Sequence, residues 1–547
     1  MLSELLERGR RGESLWLPEI REAFARDPRA ERMIVRLRGR MYGVREYELF
    51  FPAARGREEQ EFLLRALSAN VYNLLSALSA EEVLLFVEEN GNLMSLVREL
   101  PARFQSDPGL CKVSRIANRL YGGFRMRALS IAEYLPATEA GARFANESGG
   151  LFPLLRMRAR AADEMDCLGL DVGGSDIKVA TSVHGRLLYT KEVNWNPMAC
   201  LTADGILNPI LSLVREADTY IREAGGTLTA VGISFPDVVI GDRIVGGETP
   251  KTLGMRKNPA IDYEAEFARL SGLREEVLAL LPSGSSVRIA NDGNMAAFTA
   301  ALELAAAPRE SSGEEEPRLG VLAHSLGTDL GSGWLLPNGQ LVPVPLELYD
   351  LLLDLGDFPS LALDPLDLRS TRNVNSGMAG LRRYLGQAAA YRLAWKLDPS
   401  LLDGFTEEIE GILSIPTKPQ DLRKPCLEHL MQAAGGNGKA AEIFRRIGGH
   451  LAVASREMEW IFGTLPRERY LFGRFVKSRH CFSLLQEGFT AKNAGFTRDE
   501  SIQEPPVRLI AADDSLANTS LMRQLADVEG SRFAQFAQAV GAVCYAL

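Results

Sequence analysis

Lysine is almost missing from the first 165 residues of this 547-residue chain, where Lys112 stands alone among arginines. Close cysteine pairs are missing too. The six cysteines, at 111, 167, 200, 426, 481 and 544, are scattered, which excludes a disulfide framework and the paired-ligand spacing of a structural zinc site. Five histidines, His184, His324, His429, His450 and His480, lie too far apart in sequence to form a visible ligand set. No uninterrupted apolar run is long enough to cross a bilayer, the leucine-rich LELYDLLLDLGDF being cut by acids. The opening MLSELLERGRRGESLW carries Glu4 and Glu7 where a secretion signal is basic and then apolar. Reduced thiols, a cytoplasmic location and no membrane partner are therefore the expectation. A formal net charge of −9 also weighs against a nucleic-acid partner.

What remains is the composition of a globular protein, with 46% apolar and 24% charged residues, in a chain long enough for about three domains. Residues 1–165 have mostly helical apolar spacing, as in EQEFLLRALSANVYNLLSALSAEEVLLFVEE, and predict a separate helical accessory domain. From Cys167 the texture changes to short apolar runs closed by glycine or Asx residues: CLGLDVGG, KVATSV, TAVGISFPD, VRIANDGN and LGVLAHSLGTDLGSGWLL. Strands alternating with helices predict an α/β fold. The polar segment APRESSGEEEPR, residues 307–318, reads as a solvated loop; beyond Leu341 the chain turns helical again until strands in RYLFGRFV and PVRLIAADD, and RFAQFAQAVGAVCYAL predicts a terminal helix.

In DCLGLDVGGSDIKVATSVHGRL, Asp171 and Ser175 flank the paired glycines Gly173 and Gly174 at a strand-turn-strand. Glycines let backbone N–H groups approach an anion closely, and a carboxylate beside them can hold a hydrated magnesium ion. A plain hairpin that uses glycine for its turn accounts for the same residues. Both readings stay open at this level.

Four patches follow in order: LDVGGSDIKVA, VGISFPDVV, RIANDGNMAAF and LGTDLGSGWLLPNGQL. Together they resemble the ROK family of sugar kinases and regulators, within the actin-like, hexokinase-like ATPase superfamily, whose texts run D-x-G-G-T-x-x-K, P-G, N-D-A-N and G-T-G-x-G-G-G. The resemblance extends from about Cys167 to Leu547 and leaves residues 1–165 outside it. It implies two ribonuclease-H-like domains with ATP and sugar in the cleft, over 166–300 and 301–547, the second with a helical insertion at about 350–450. It implies Asp292 as catalytic base, although Asn291 and Asp292 also suit the cap of the next helix. It implies Gly173, Gly174, Ser175 and Lys178 as a first phosphate loop, Asp171 as the magnesium ligand, and Gly327, Thr328, Gly331, Gly333 and Gly473 at the nucleotide. On the sugar side it implies Asn291 and Glu347, although an exposed loop acid accounts for Glu347 as well, with Glu248, Thr249 and Lys251 weaker candidates.

The departures matter as much. LYDLLLDLGDFPS supplies neither the His nor the Cys-rich knuckle that follows the family's Glu, so no zinc is expected. Asp329 replaces a glycine of the second phosphate loop, Arg474 replaces a glycine beside the adenosine, and Asp237 stands where Pro-Gly is usual. Two functions remain in view: an ATP-dependent, magnesium-dependent sugar kinase, which is preferred, and a non-catalytic sugar sensor or transcription regulator with a degenerate nucleotide site. For the second, Val113–Leu135 is the nearest text to a helix-turn-helix. For the first, the N-terminal region would serve homo-oligomerisation or cover the cleft.

Overall fold

In the computed structural model the described residues are 1–137, 150–308, 317–357, 364, 366–369, 380–405, 423–495, 506–527 and 533–547. Most of the 307–318 loop and the stretches 358–363 and 406–422 of the helical insertion lie outside them.

Alternation comes first in the chain. In ERMIVRLRG, Met33, Val35 and Leu37 are buried while Arg32 and Arg38 stay exposed, the period of a half-buried strand. This strand, β1 (Glu31–Gly39), pairs antiparallel with β2 (Gly43–Phe51) and with β3 (Glu82–Val87), and β4 (Arg125–Ser130) adds parallel to β3. The sheet order is β2-β1-β3-β4. The mainly α-helical domain expected here is thus corrected: a four-stranded sheet lies among the helices. It escaped the helical pattern because EVLLFV is buried on both faces, and a short apolar run has no period of its own. Val113–Leu135, the nearest text to a helix-turn-helix, does not form one. The helix Cys111–Tyr121 ends at a left-handed Gly122, and β4 follows instead of a second helix.

Nor is this region a separate domain. The helix Arg57–Leu78 is buried almost throughout its second half, and one continuous apolar core joins Phe62, Tyr72 and Leu75 to Leu351, Phe444 and Phe462. Buried polar contacts cross the same boundary: Arg21 pairs with the fully buried Glu457 at 2.5 Å, and Tyr47 Oη donates to the Ile461 carbonyl at 2.7 Å.

From Cys167 the expected α/β texture appears. β5 (Cys167–Val172), β6 (Asp176–Val183) and β7 (Arg186–Asn194) form an antiparallel meander; β8 (Ala230–Phe235) lies parallel to β5. After a short hairpin of β9 (Val239–Ile240) and β10 (Arg243–Ile244), β11 (Ser286–Asn291) completes the order β11-β8-β5-β6-β7. A second sheet has the order β13-β12-β14-β15, from β12 (Val321–Leu326), β13 (Leu330–Leu335), β14 (Glu468–Phe472) and β15 (Arg508–Ala511), the last two parallel to β12.

Two helices fill the space between these sheets. Asp292–Ala306 leaves the end of β11, and Phe533–Tyr545 is the terminal helix; their alanines join Ala230, Val321 and Tyr470 in one core. Contact is backbone to backbone. A Cβ on Gly232 would lie 1.8 Å from the Ala542 carbonyl oxygen, so glycine is required for the terminal helix to reach the sheet. Gly232→Val is expected to destabilise the protein by about 3 kcal/mol or more, read by calorimetric unfolding of the purified variant.

Candidate active site

Strand ends supply the site. β5 runs into Gly173, whose N–H donates to the Asp176 carbonyl at 2.7 Å and closes the turn to β6. The buried Asp171, one residue before the end of β5, accepts from Ser234 Oγ of β8 at 2.9 Å. Lys178, on β6, lies 3.8 Å from Asp171 Oδ2 and forms a close ion pair with Asp176. Burial raises the Asp171 carboxyl despite the opposing Lys178. For Asp176 burial also acts upward, but Lys178, Lys424 and Arg474 outweigh it and hold the group below its ordinary range. Burial would discharge Lys178, yet Asp171 and Asp176 keep it charged. The turn therefore presents Lys178, paired with Asp171 and Asp176, and glycine backbone to the cleft.

β11 delivers the next group. Asn291 caps the helix Asp292–Ala306: its Oδ1 accepts from Gly293 N–H at 2.9 Å, and its Nδ2 donates to the Asp237 carbonyl at 2.9 Å. Asp292 Oδ1 accepts from the same Gly293 N–H at 2.8 Å, so the two residues share the cap. Asp292 also lines the cleft, and burial, with Asp171 and Asp329 adding to it and Lys251 opposing, pushes its carboxyl up to about 6.

Glycines on β13 give this carboxylate its place. A Cβ on Gly331 would lie 3.0 Å from Asp292 Oδ1, and one on Gly333 would lie 2.1 Å from the Gly293 carbonyl. Gly333 does not line the cleft; it lets the helix start dock on the strand. The turn Gly327-Thr328-Asp329 lines the cleft, tied by Gly327 N–H to the Asp329 carbonyl at 3.1 Å. Asp329 faces the cleft as the substitution for glycine implied. Gly473, at φ 103°, sits where a Cβ would meet the Leu326 carbonyl at 2.2 Å. The next residue, Arg474, lines the cleft beside it and pairs with Glu428.

Glu347, in the segment after β13, and Thr249, in the loop after β10, also line the cleft, both buried. Glu347 Oε2 and Thr249 Oγ1 have no hydrogen-bond partner within the protein. Burial pushes the Glu347 carboxyl up to about 8, with Lys112 opposing and Asp237 and Asp350 assisting. Such atoms are costly to leave unmatched, and a ligand with several hydroxyls would satisfy both.

The cleft thus gathers Asp171, Gly173, Gly174, Ser175, Lys178, Thr249, Asn291, Asp292, Gly327, Thr328, Gly331, Glu347 and Gly473, together with Lys251. Glu248 stands apart. Its carboxylate is used by Arg115 at 2.7 Å, Arg119 at 3.1 Å and Arg256 at 3.3 Å, so it braces the loop that carries Thr249. Asp237 also shapes its turn, accepting from Val238 N–H at 2.7 Å and Gly247 N–H at 3.0 Å. Sequence reasoning missed Lys477, Gln535, Gln538 and Tyr349, all of which line the cleft. Only the glutamines had a signal, as the polar face of the terminal helix. None of the five histidines lines the cleft, and among the described residues no cluster of three or more His, Cys, Asp or Glu is arranged to hold a metal. No helix among them is long and apolar enough to cross a membrane.

No family model and no curated protein matches the sequence. Solved structures do give matches. The chain is similar to a ROK family glucokinase from Streptomyces griseus in complex with glucose and AMPPNP, at 20% identity over 70% of this chain and 99% of that one, with a TM-score of 0.44. It is also similar to a ROK hexokinase from Thermus thermophilus, at 18% identity over 70% and 98% of the two chains, TM-score 0.39. A third is a ROK family transcriptional regulator, homolog of the E. coli MLC protein, at 15% identity over 70% and 81%, TM-score 0.42. These structures carry the family name that the four motifs resemble.

Proposed function

We propose that the protein is an ATP-dependent sugar kinase whose two sheets are the ribonuclease-H-like halves of a clamp. Asp292 carries the reading. It is a cleft-lining carboxylate set at a helix start between two glycine loops, with a proton affinity placed to accept a hydroxyl proton near neutral pH. Glu347 and Thr249 bind sugar hydroxyls, and the loops at Gly173–Ser175 and Gly327–Thr328, with Lys178 and Lys477, bind the phosphates.

Asp171 and Asp329 would hold a hydrated magnesium ion. Magnesium needs only one or two carboxylates beside its waters, and Asp171 and Asp329 both line the cleft, so the donor set fits. The bound ion would neutralise charge on the β- and γ-phosphates. Asp292 takes the proton, Lys178 offsets charge at the first turn, and closure of the lobes excludes water.

The test is ADP release, with magnesium and ATP, across a panel of hexoses, amino sugars and N-acetylated sugars. Turnover with one class supports the reading, and silence across the panel in folded, metal-replete protein removes it. Arg474 in the nucleotide wall and Asp329 among the phosphate contacts favour one alternative, a sensor that binds sugar without turnover. Saturable sugar binding without ADP release would select that alternative.

The acid limb of the rate profile follows from Asp292. Its base form is present above about 6 and is lost below, so kcat/KM is expected to fall about tenfold per pH unit on the acid side of that value. Initial rates between pH 5 and 8 check it.

A further inference from the structure

The single lysine of the N-terminal region touches a residue of the cleft wall. Lys112 is buried; its Nζ donates to Tyr349 Oη at 2.8 Å and forms a close ion pair with Asp350. Tyr349 and Glu347, two residues apart, both line the cleft. Their segment is held by the helix Arg57–Leu78 as if by a neighbouring strand. Leu346 N–H donates to the Ala77 carbonyl at 3.0 Å, Glu347 N–H to the Ser76 carbonyl at 3.1 Å, and Ser76 Oγ to the Glu347 carbonyl at 2.7 Å. Asn73 and Leu352 exchange bonds of 2.7 and 3.0 Å. These contacts hold Leu346 at φ 51°, a left-handed conformation that a branched residue adopts only when its surroundings impose it.

The helix Cys111–Tyr121 also touches the other lobe. Residues 112, 115 and 119 share one helical face, and Arg115 grips Glu248 with two bonds of 2.7 and 3.0 Å while Arg119 adds a third. Glu248 adjoins Thr249. One helix thus holds the neighbours of both unmatched cleft atoms, Glu347 Oε2 on one lobe and Thr249 Oγ1 on the other.

We propose that this helix is a tie across the sugar end of the cleft, and that Lys112 is a positioning residue that fixes Glu347 opposite Thr249 for a polyhydroxylated substrate. The proposal rests on the reading of the cleft as a sugar site. The spacing of two hydroxyl-reading groups on different lobes is fixed by a third element, so substrate affinity depends on residues that never touch the substrate.

Lys112→Met alone leaves Asp350 buried and uncompensated, so the informative variant is Lys112→Met with Asp350→Asn, beside Arg115→Met with Arg119→Met. The first measurement is amide hydrogen exchange without ligand. Exchange is expected to quicken at least about tenfold in 346–352 for the first variant and in 246–252 for the second, and exchange unchanged in both segments overturns the tie. The second is kinetic: sugar KM is expected to rise about tenfold while ATP KM stays unchanged. Sugar and ATP KM rising together would reduce the helix to a general fold element and overturn its role at the sugar site. A parent protein without turnover removes the kinase reading, and the exchange result still decides the tie.

Discussion

Asp292→Asn is expected to lose sugar-dependent ADP release by roughly 10²–10⁴-fold, the usual range for a general base, while the protein stays folded. Asn keeps the size of the side chain and the bond to Gly293 N–H, but it cannot take a proton. Sugar binding, measured by calorimetry without ATP, should persist in the variant, since Glu347 and Thr249 are untouched. Stability moves the other way from activity. Burial raises the folded-state carboxyl from 3.8 to about 6, so ionising it costs more in the folded protein than in the unfolded chain. The parent therefore loses stability as pH rises from about 4 to about 6, and above that window Asn escapes the penalty. At pH 7.5 the melting temperature of Asp292→Asn should equal or exceed that of the parent. A variant that melts lower, or turns over at the parental rate, removes Asp292 from its role.

Deletion of residues 1–130 is expected to abolish folding altogether. A detachable domain would leave the two lobes intact, but here one apolar core is shared. Removal strips the cover from Leu351, Leu352, Phe444 and Phe462, and it leaves Glu457 buried without Arg21 and Asn73. An uncompensated buried carboxylate alone costs about 3–5 kcal/mol, comparable with the whole stability of many domains. The truncated chain should be insoluble, or soluble without a cooperative calorimetric transition. A truncation that melts cooperatively and turns over would show that the lobes stand alone.

The contrast between these two regions shows what the sequence makes legible. The four motifs after Cys167 meet in one cleft because each is a local device: glycine turns at Gly173 and Gly327, an Asx cap at Asn291, strands bounded by both. Local chemistry sets such conformations, so they can be read without knowing the partner. Glu248 and Gly333 were not legible in this way. Arg115 and Arg119, more than a hundred residues earlier, decide what Glu248 does, and the approach of Gly293 decides what Gly333 is for. The N-terminal sheet was hidden for a different reason. EVLLFV follows a long helix and continues its apolar texture, while the arginines alternating through β1 form the signal that helical spacing overrides.

The pairing of the helix Arg57–Leu78 with residues 346–352 also bears on how the protein is made. Ser76 and Asn73 meet partners 271 and 279 residues later, and the rest of their core, to Phe462, is later still. A ribosome adding 5–20 residues per second leaves the apolar face of that helix waiting roughly 15–50 s before its partner emerges. During that interval the nascent chain exposes the part of the helix that only the later segments cover, so its yield in a cell is governed by holding chaperones and by synthesis speed, more than by the stability of the finished fold.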